Sequence, residues 1–369
     1  MKRLELVTDL AVIKQNAIEI KQRIPDPNAR LLCVVKADAY GHGAVKTAQA
    51  LSGIADAFAV ATPLEGAELR ESGVRQPIVV LGLMSDHEDA VLSVKYDLCQ
   101  AVDDARDVCA LDEAALKQGT RAKLHIKIDT GMSRIGVRDF PALSALLDVI
   151  KTLKNVTVDG MFTHFCAADE DEAFTREQKS RFDRAIEAVR QAGFDPICHA
   201  AASTAMLKKG YSYGMVRAGI ALYGTGVKEL SGIVRPAQTL LSHPVAIRRV
   251  LKGETVGYGR TFTAQRDSLI ATVPCGYGDG YPRILSGRAD VLIHGCRAPL
   301  TGRVCMDMLM ADVTDIPGAG RESEVVLLGK QGNEAITPDE LAEKAGSIPY
   351  EIMLGFSQRV YKSWKNTEV

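Results

Sequence analysis

Through roughly its first 220 residues the chain alternates short apolar β-rich runs with amphipathic stretches of helical period, and few folds accept that rhythm. Strand-like runs recur at Arg30–Val35, Ala57–Ala61, Pro77–Leu81, Leu98–Val102, Lys123–Ile128, Val156–Phe162, Ile197–Ala200 and Val216–Ala218. Helical patterns separate most of them, as at Pro63–Glu71, Asp103–Gln118, Pro141–Leu153 and Thr175–Ala192. Ahead of them, Leu10, Ile13, Ala17 and Ile20 fall at helical spacing, with Thr8 as the expected cap. Parallel strands need crossover connections, and about eight β/α units close a barrel. An open doubly wound sheet is the rival, but no Gly-x-Gly-x-x-Gly turn opens a helix here. The pattern predicts an α/β fold: a (β/α)8 TIM-type barrel over residues 1–230.

After Gly224 the texture changes. Short strands follow one another without helices at Pro244–Val250, Leu269–Val273, Val291–His294, Leu309–Val313 and Val325–Leu328. Lys252-Gly253 and His294-Gly295 mark turns between them. One helix is expected at Pro338–Ala345, capped by Thr337 with Pro338 at its first position. Residues 231–369 therefore read as a mostly β C-terminal domain.

Bulk numbers exclude several function classes. A chain of 369 residues accommodates one barrel and a smaller partner domain. A formal net charge of -1 shows no bias toward nucleic acid or anionic membrane. The opening MKRLELVTDL lacks the apolar core of a signal peptide, and no run of about 18 apolar residues appears. The 8 cysteines are scattered without a Cys-x-x-Cys pair, and the 7 histidines show no metal-ligand spacing. No metal site is expected, and a reduced cytoplasm is the expected location.

Chemistry concentrates first at Lys36, which closes the apolar run Leu31–Val35 and precedes small residues and glycines. In a barrel the carboxyl ends of the strands face the active site. A lysine partly desolvated there loses basicity and becomes a usable amine. Taken alone, a lysine snorkelling to the barrel rim would look the same. Alone, too, Tyr258 is an ordinary turn tyrosine, Arg217 a surface ion-pair partner, and Ser203 a cap for a helix over Thr204–Lys208.

The run Val34-Val35-Lys36-Ala37-Asp38-Ala39-Tyr40-Gly41-His42-Gly43 resembles the cofactor-lysine motif of the alanine racemases, a family of fold-type III pyridoxal-phosphate enzymes. The resemblance continues along the chain: Lys127 to Gly136, Thr163-His164-Phe165, Arg217 to Gly224, Tyr258-Gly259, Gly276 to Gly280, Cys305-Met306-Asp307 and Tyr350-Glu351.

This resemblance implies interconversion of L- and D-alanine by two bases, supplying D-alanine for peptidoglycan. Lys36 would bind pyridoxal 5'-phosphate covalently and serve one face of the substrate, with Tyr258 serving the other. A phenol is a weak base near neutrality unless positive charge stabilises its anion, and His164 and Arg217 would extend a polar network toward it. Arg217 would face the pyridine nitrogen, which a guanidinium cannot readily protonate, with His199 behind it. Tyr40, Ser203, Gly219, Ile220 and Tyr350 match the family's phosphate set. Arg134 would touch cofactor and substrate carboxylate, Lys127 matches a lysine carbamylated in many members, and Tyr277 and Met306 match the substrate entrance. The resemblance also implies a homodimer with shared active sites, a small amino-acid substrate, and neither nucleic-acid nor membrane partners.

Three positions depart from the family pattern. Ala202 replaces the usual asparagine, Gly278 the usual alanine, and Met308 the usual glutamine. They bear on substrate preference rather than reaction type, so a racemase for serine or a broader amino-acid set is an alternative. A barrel-type basic amino-acid decarboxylase and a non-enzymatic pyridoxal-phosphate carrier are more distant rivals. The Tyr258 and Cys305-Met306-Asp307 signatures speak against the first, and the long segment after Gly224 against the second. The burial of Asp169 and Asp307 is left open by the sequence.

Overall fold

The structure, a computed structural model, describes residues 2–367. It divides into two compact units: a barrel unit of Ile13–Leu222 with Val227–Val234, and a β unit of the residues up to Val12, Tyr223–Gly226 and those from Arg235 on.

The opening strand, β1 (Leu4–Asp9), belongs to the β unit and not to the barrel expected over 1–230. Its residues alternate buried and half-buried, with Leu4 and Leu6 in that unit's apolar core. Thr8 lies within this strand and caps nothing. Asp9 takes that role, its Oδ1 accepting from the N–H groups of Ala11 (3.1 Å) and Val12 (3.3 Å). The helix Leu10–Arg23 buries Ile13, Ala17 and Ile20, as their spacing predicts.

Eight parallel strands then close the barrel: β2 (Arg30–Val34), β3 (Ala57–Val60), β4 (Ile78–Val80), β5 (Cys99–Val102), β6 (Ala122–Lys127), β7 (Val156–Phe162), β8 (Ile197–Ala202) and β9 (Met215–Ala218). Closure comes from β2 pairing with β9, Leu32 lying beside Arg217. The strands are buried on both sides, hence their continuous apolar runs. Short polar side chains start the outer helices. Thr62 and Glu65 form a reciprocal capping box at Pro63–Glu71. Asp86, Asp104, Asp139 and Asp171 each accept from backbone N–H groups of the first turn that follows. Two helices that the sequence pattern did not single out, Ala44–Leu51 and His87–Lys95, complete the layer; both are short.

In the β unit a seven-stranded sheet runs through β10 (Gln238–Ser242), β15 (Asp290–Ile293), β16 (Cys296–Pro299), β18 (Val325–Gln331), β19 (Glu334–Ile336) and β20 (Tyr361–Lys365) together with β1. A second sheet joins β11 (Ala246–Val250), β14 (Ser268–Val273) and β17 (Leu309–Asp312), and a small ribbon joins β12 (Thr255–Val256) to β13 (Phe262–Thr263). The helix Pro338–Ala345 stands where expected, with Thr337 Oγ1 accepting from Glu340 N at 3.1 Å. None of the described helices is long and apolar enough to cross a membrane.

The longest barrel helix, Glu172–Gln191, is anchored by Phe182, which is fully buried and meets Tyr213 edge-on with ring centroids 5.2 Å apart. Phe182→Ala should cost about 3–5 kcal/mol by removing aromatic burial and leaving a cavity. Urea unfolding checks this, and a loss under about 1 kcal/mol would show that the helix is held elsewhere.

Candidate active site

Lys36 stands just past the carboxyl end of β2, and the backbone after it turns the unfavourable way. Ala37, Asp38, Ala39 and Tyr40 are all left-handed, with φ of 51°, 53°, 53° and 55°. For residues with a Cβ this costs roughly 1–2 kcal/mol each, so the turn persists only where neighbours hold it. Glu65 does so from the first turn of the helix Pro63–Glu71: Oε1 accepts from Ala37 N at 2.7 Å, and Oε2 accepts from Ala61 N at 2.6 Å. Asp38 Oδ1 accepts from Ala44 N at 2.8 Å, tying the far end of the turn to the following helix. Tyr40 is thereby buried.

Arg217, on β9, is buried with no carboxylate partner among the described residues. It donates instead to the carbonyl oxygens of Ala200 (2.7 Å), Thr163 (2.9 Å) and His199 (3.1 Å). It also donates to His199 Nδ1 at 2.8 Å and His164 Nδ1 at 3.0 Å. A guanidinium can only donate, so both Nδ1 atoms must be acceptors. Burial, reinforced by the Arg217 charge, pushes His164 down to about 3 and His199 well below its ordinary value, keeping both rings neutral. Each neutral ring then carries its proton on Nε2. The His199 proton is donated to His125 Nδ1 at 3.1 Å, and Phe162 stacks flat on His199 at 4.9 Å.

Lys127 ends β6 and is buried, donating to the carbonyls of Ile128 (2.7 Å) and Ile135 (3.3 Å). The loop beyond it carries Arg134 and is fixed by Asp129, which accepts from Gly131 N and Ser133 N at 3.0 Å each. Asp103 accepts from Gly136 N at 2.7 Å. Arg134 itself is exposed. Burial and neighbouring positive charge act on Lys36, Lys127 and Arg217. Lys36 is lowered by burial and by Arg134, with Glu65 opposing. Lys127 falls to about 8 through burial and then Arg217, and Arg217 to about 9 through burial and then Arg134. Four cationic side chains thus crowd a site short of carboxylates.

The structure therefore brings together Lys36, Lys127, Arg134, His164, His199 and Arg217, and separately Tyr40 and Gly219. Ser203 opens the 3-10 helix Ser203–Leu207 at φ 47°. The capping position is taken by Ala202, without a side-chain bond, so the expectation of Ser203 as a cap fails. Ile220 is buried in the adjoining short turn. In the β unit, Tyr258 is held out on the turn between β12 and β13 and is 71% exposed. Tyr277 and Met306 lie on two turns joined by backbone bonds, Tyr277 N to Cys305 O (3.0 Å) and Gly278 N to Met306 O (2.8 Å). Tyr350 is the second residue of the helix Pro349–Leu354. Asp307 and Asp169 are both exposed. Sequence reasoning missed Glu65 and His125. A Thr-x-x-Glu capping box and a strand residue two places before Lys127 were the available signals.

A lysine whose folded pKa lies below its ordinary 10.5 binds fewer protons folded than unfolded between the two values, so stability rises with pH across that window. In bicarbonate-free buffer without added ligand, the stability difference between the parent protein and Lys127→Met should shift toward the parent by up to about 3 kcal/mol from pH 8 to 10.5. It should be flat below pH 8. Denaturant titrations across this range test it, and a difference that stays constant throughout would mean that Lys127 is not desolvated.

The family model for the alanine racemase N-terminal domain matches residues 8–226, and that for the C-terminal domain matches 237–364. The chain is 42% identical to an alanine racemase of Halothermothrix orenii, over 97% of this chain and 96% of that one. It is 40% identical to one from a Geobacter species, over 95% of each. Among solved structures, alanine racemase from Clostridium difficile superposes with a TM-score of 0.92 at 33% identity, covering 100% of this chain and 97% of that one. The Bacillus anthracis enzyme with bound L-Ala-P gives 0.90 at 34%, covering 100% and 96%. The chain belongs to the alanine racemase family.

Proposed function

We propose that this protein interconverts L- and D-alanine using pyridoxal 5'-phosphate held by Lys36, in the supply of D-alanine for peptidoglycan. The observation that carries the reading is the cluster of Lys36, Lys127, Arg134 and Arg217, in which burial first, and then the charges of Arg134 and Arg217, lower the basicity of Lys36, Lys127 and Arg217. A phosphate-bearing cofactor and a carboxylate substrate supply the opposing negative charge.

The residues fit the cofactor. Gly219 lies so close to Tyr40 that a Cβ would stand 3.0 Å from its hydroxyl, so a side chain there would fill the space beside backbone N–H groups. Tyr40, Ser203, Gly219 and Ile220 would hold the phosphate, joined by Tyr350 of a β unit. When bound, the cofactor supplies an electron sink that acidifies the substrate's α-hydrogen. Lys36, its ammonium destabilised by burial and by Arg134, can take and return a proton on one face. Tyr258 serves the opposite face, and the Nε2 proton of His164 is available to its hydroxyl. Arg217 offers only donors, so it leaves a ring nitrogen beside it unprotonated and disfavours transamination. Arg134 orients the substrate carboxylate, and Tyr277 and Met306 line the entrance. Lys127, with its lowered pKa, has enough neutral amine near neutrality to react with carbon dioxide, which would turn one of the crowded cations into an anion beside Arg134.

Tyr258, Tyr277, Met306 and Met308 are large apolar side chains of the β unit that stand 71%, 42%, 53% and 43% exposed. Covering them would remove apolar area from water. This supports a homodimer in which the β unit of one chain completes the barrel site of the other, a two-fold pairing in which each contact occurs twice.

Incubation with each L-amino acid in turn should yield the D-enantiomer of alanine foremost. Borohydride reduction and digestion should place the cofactor on Lys36. Serine converted faster than alanine would change the substrate, and a label on another lysine would overturn the assignment.

Lys36→Ala and Tyr258→Phe subunits, each inactive alone, should regain activity when allowed to exchange, because one site of the mixed dimer receives both bases. Verified mixed dimers that stay inactive would refute shared sites.

A further inference from the structure

The turns carrying Tyr277 and Met306 are clasped by a network that the family motifs do not describe. Asp279 is fully buried and accepts a forked pair from Arg3, together with the N–H of Gly276 at 3.0 Å. The C-terminal loop closes over the same turn: Ser357 N donates to Asp279 O at 3.0 Å, and Ser357 Oγ to Gly278 O at 3.1 Å. From this loop Arg359 reaches back across both turns. Its Nη2 donates to Asp307 Oδ1 at 2.7 Å, and its Nε lies 3.5 Å from Asp279 Oδ1. One guanidinium therefore spans the carboxylate of the Tyr277 turn and that of the Met306 turn.

Gly278 makes this reach possible. A Cβ at that position would stand 2.5 Å from Arg359 Nη1 and 3.0 Å from Met306 O, so a larger residue displaces the guanidinium first. The departure from alanine at this position and the bridging arginine are two halves of one arrangement. Asp279 is buried at the base of its turn, whereas Asp307 stands next to Met306 at the exposed end of the other, which Cys305 N closes on Met308 O at 2.8 Å, so the bridge ties the two turns together.

We propose that Arg359 is a positioning residue for substrate binding: by bridging Asp307 and Asp279, in space left by Gly278, it fixes the separation of Tyr277 and Met306. The proposal rests on the reading that these two residues line the substrate entrance. A fixed entrance holds the bound substrate and the reacting one alike, so its loss raises KM and leaves kcat nearly untouched. Asp307 contributes through the same bridge, so the two side chains act as one unit.

The test uses the cofactor-loaded enzyme and four variants: Arg359→Ala, Asp307→Ala, the double variant, and Gly278→Ala. Arg359→Ala and Asp307→Ala should each raise KM for L-alanine about five- to tenfold while kcat changes less than about twofold. The double variant should be no worse than either single one. Gly278→Ala keeps every charge and should give a smaller rise of the same kind. Amide hydrogen exchange in residues 276–280 and 305–308 should quicken in Arg359→Ala. Unchanged exchange in both segments, or penalties that multiply in the double variant, would overturn the positioning role. Faster exchange with KM unmoved in every variant would uphold the bridge and refute the entrance reading instead.

Discussion

A guanidinium buried at the carboxyl end of the barrel without a carboxylate beside it constrains everything around it. Arg217 is satisfied by carbonyl oxygens from β8 and from just past β7, so the last three strands of the barrel are stitched by one side chain. Because it can only donate, it dictates the tautomers of His164 and His199, and through His199 the orientation of His125. A carboxylate in place of those carbonyls would have neutralised the cluster and relieved Lys36. Burial, with the neighbouring positive charges, lowers the basicity of Lys36 and brings Lys127 to about 8. Stability is forgone where reactivity is needed, as at many functional sites.

The same logic explains the turn after Lys36. Four successive left-handed residues are a local conflict between backbone preference and fold. Two carboxylates resolve it, Glu65 from the first turn of a neighbouring helix and Asp38 from within. Glu65 also completes a helix cap, so a single side chain couples the start of one barrel helix to the backbone beside Lys36. Substitution there would register both as a weakened cap and as a displaced Lys36.

The barrel was legible because its strands are buried on both faces and read as continuous apolar runs. Val156–Phe162 is the same segment in sequence and structure, and β2 and β3 differ from expectation by one residue at their ends. The short helices Ala44–Leu51 and His87–Lys95 were not, since eight or nine residues give the period little room to repeat. β1 escaped notice for another reason. Its partners, β10 and β20, lie more than two hundred residues away in sequence, and no local pattern announces them. In the site, family motifs pointed to the lysines, arginines and His164. They could not show that His125 donates nothing to Arg217 yet helps orient its neighbour, nor that Glu65 reaches Ala37. Those are relations between strands, visible only once the barrel closes.

The pairing of β1 with β10 and β20 also sets an order of events during synthesis. Leu4–Asp9 leaves the ribosome before every barrel strand, but its antiparallel partner Gln238–Ser242 follows only after the eighth of them, and its parallel partner Tyr361–Lys365 only after all the other strands. All eight barrel strands are made before either partner exists. The barrel can therefore assemble while the first strand waits, its edges bare, for most of translation. This strand is secured only after the barrel has been made, and a nascent chain stalled before residue 238 would present an unpaired β edge to its neighbours on the same message.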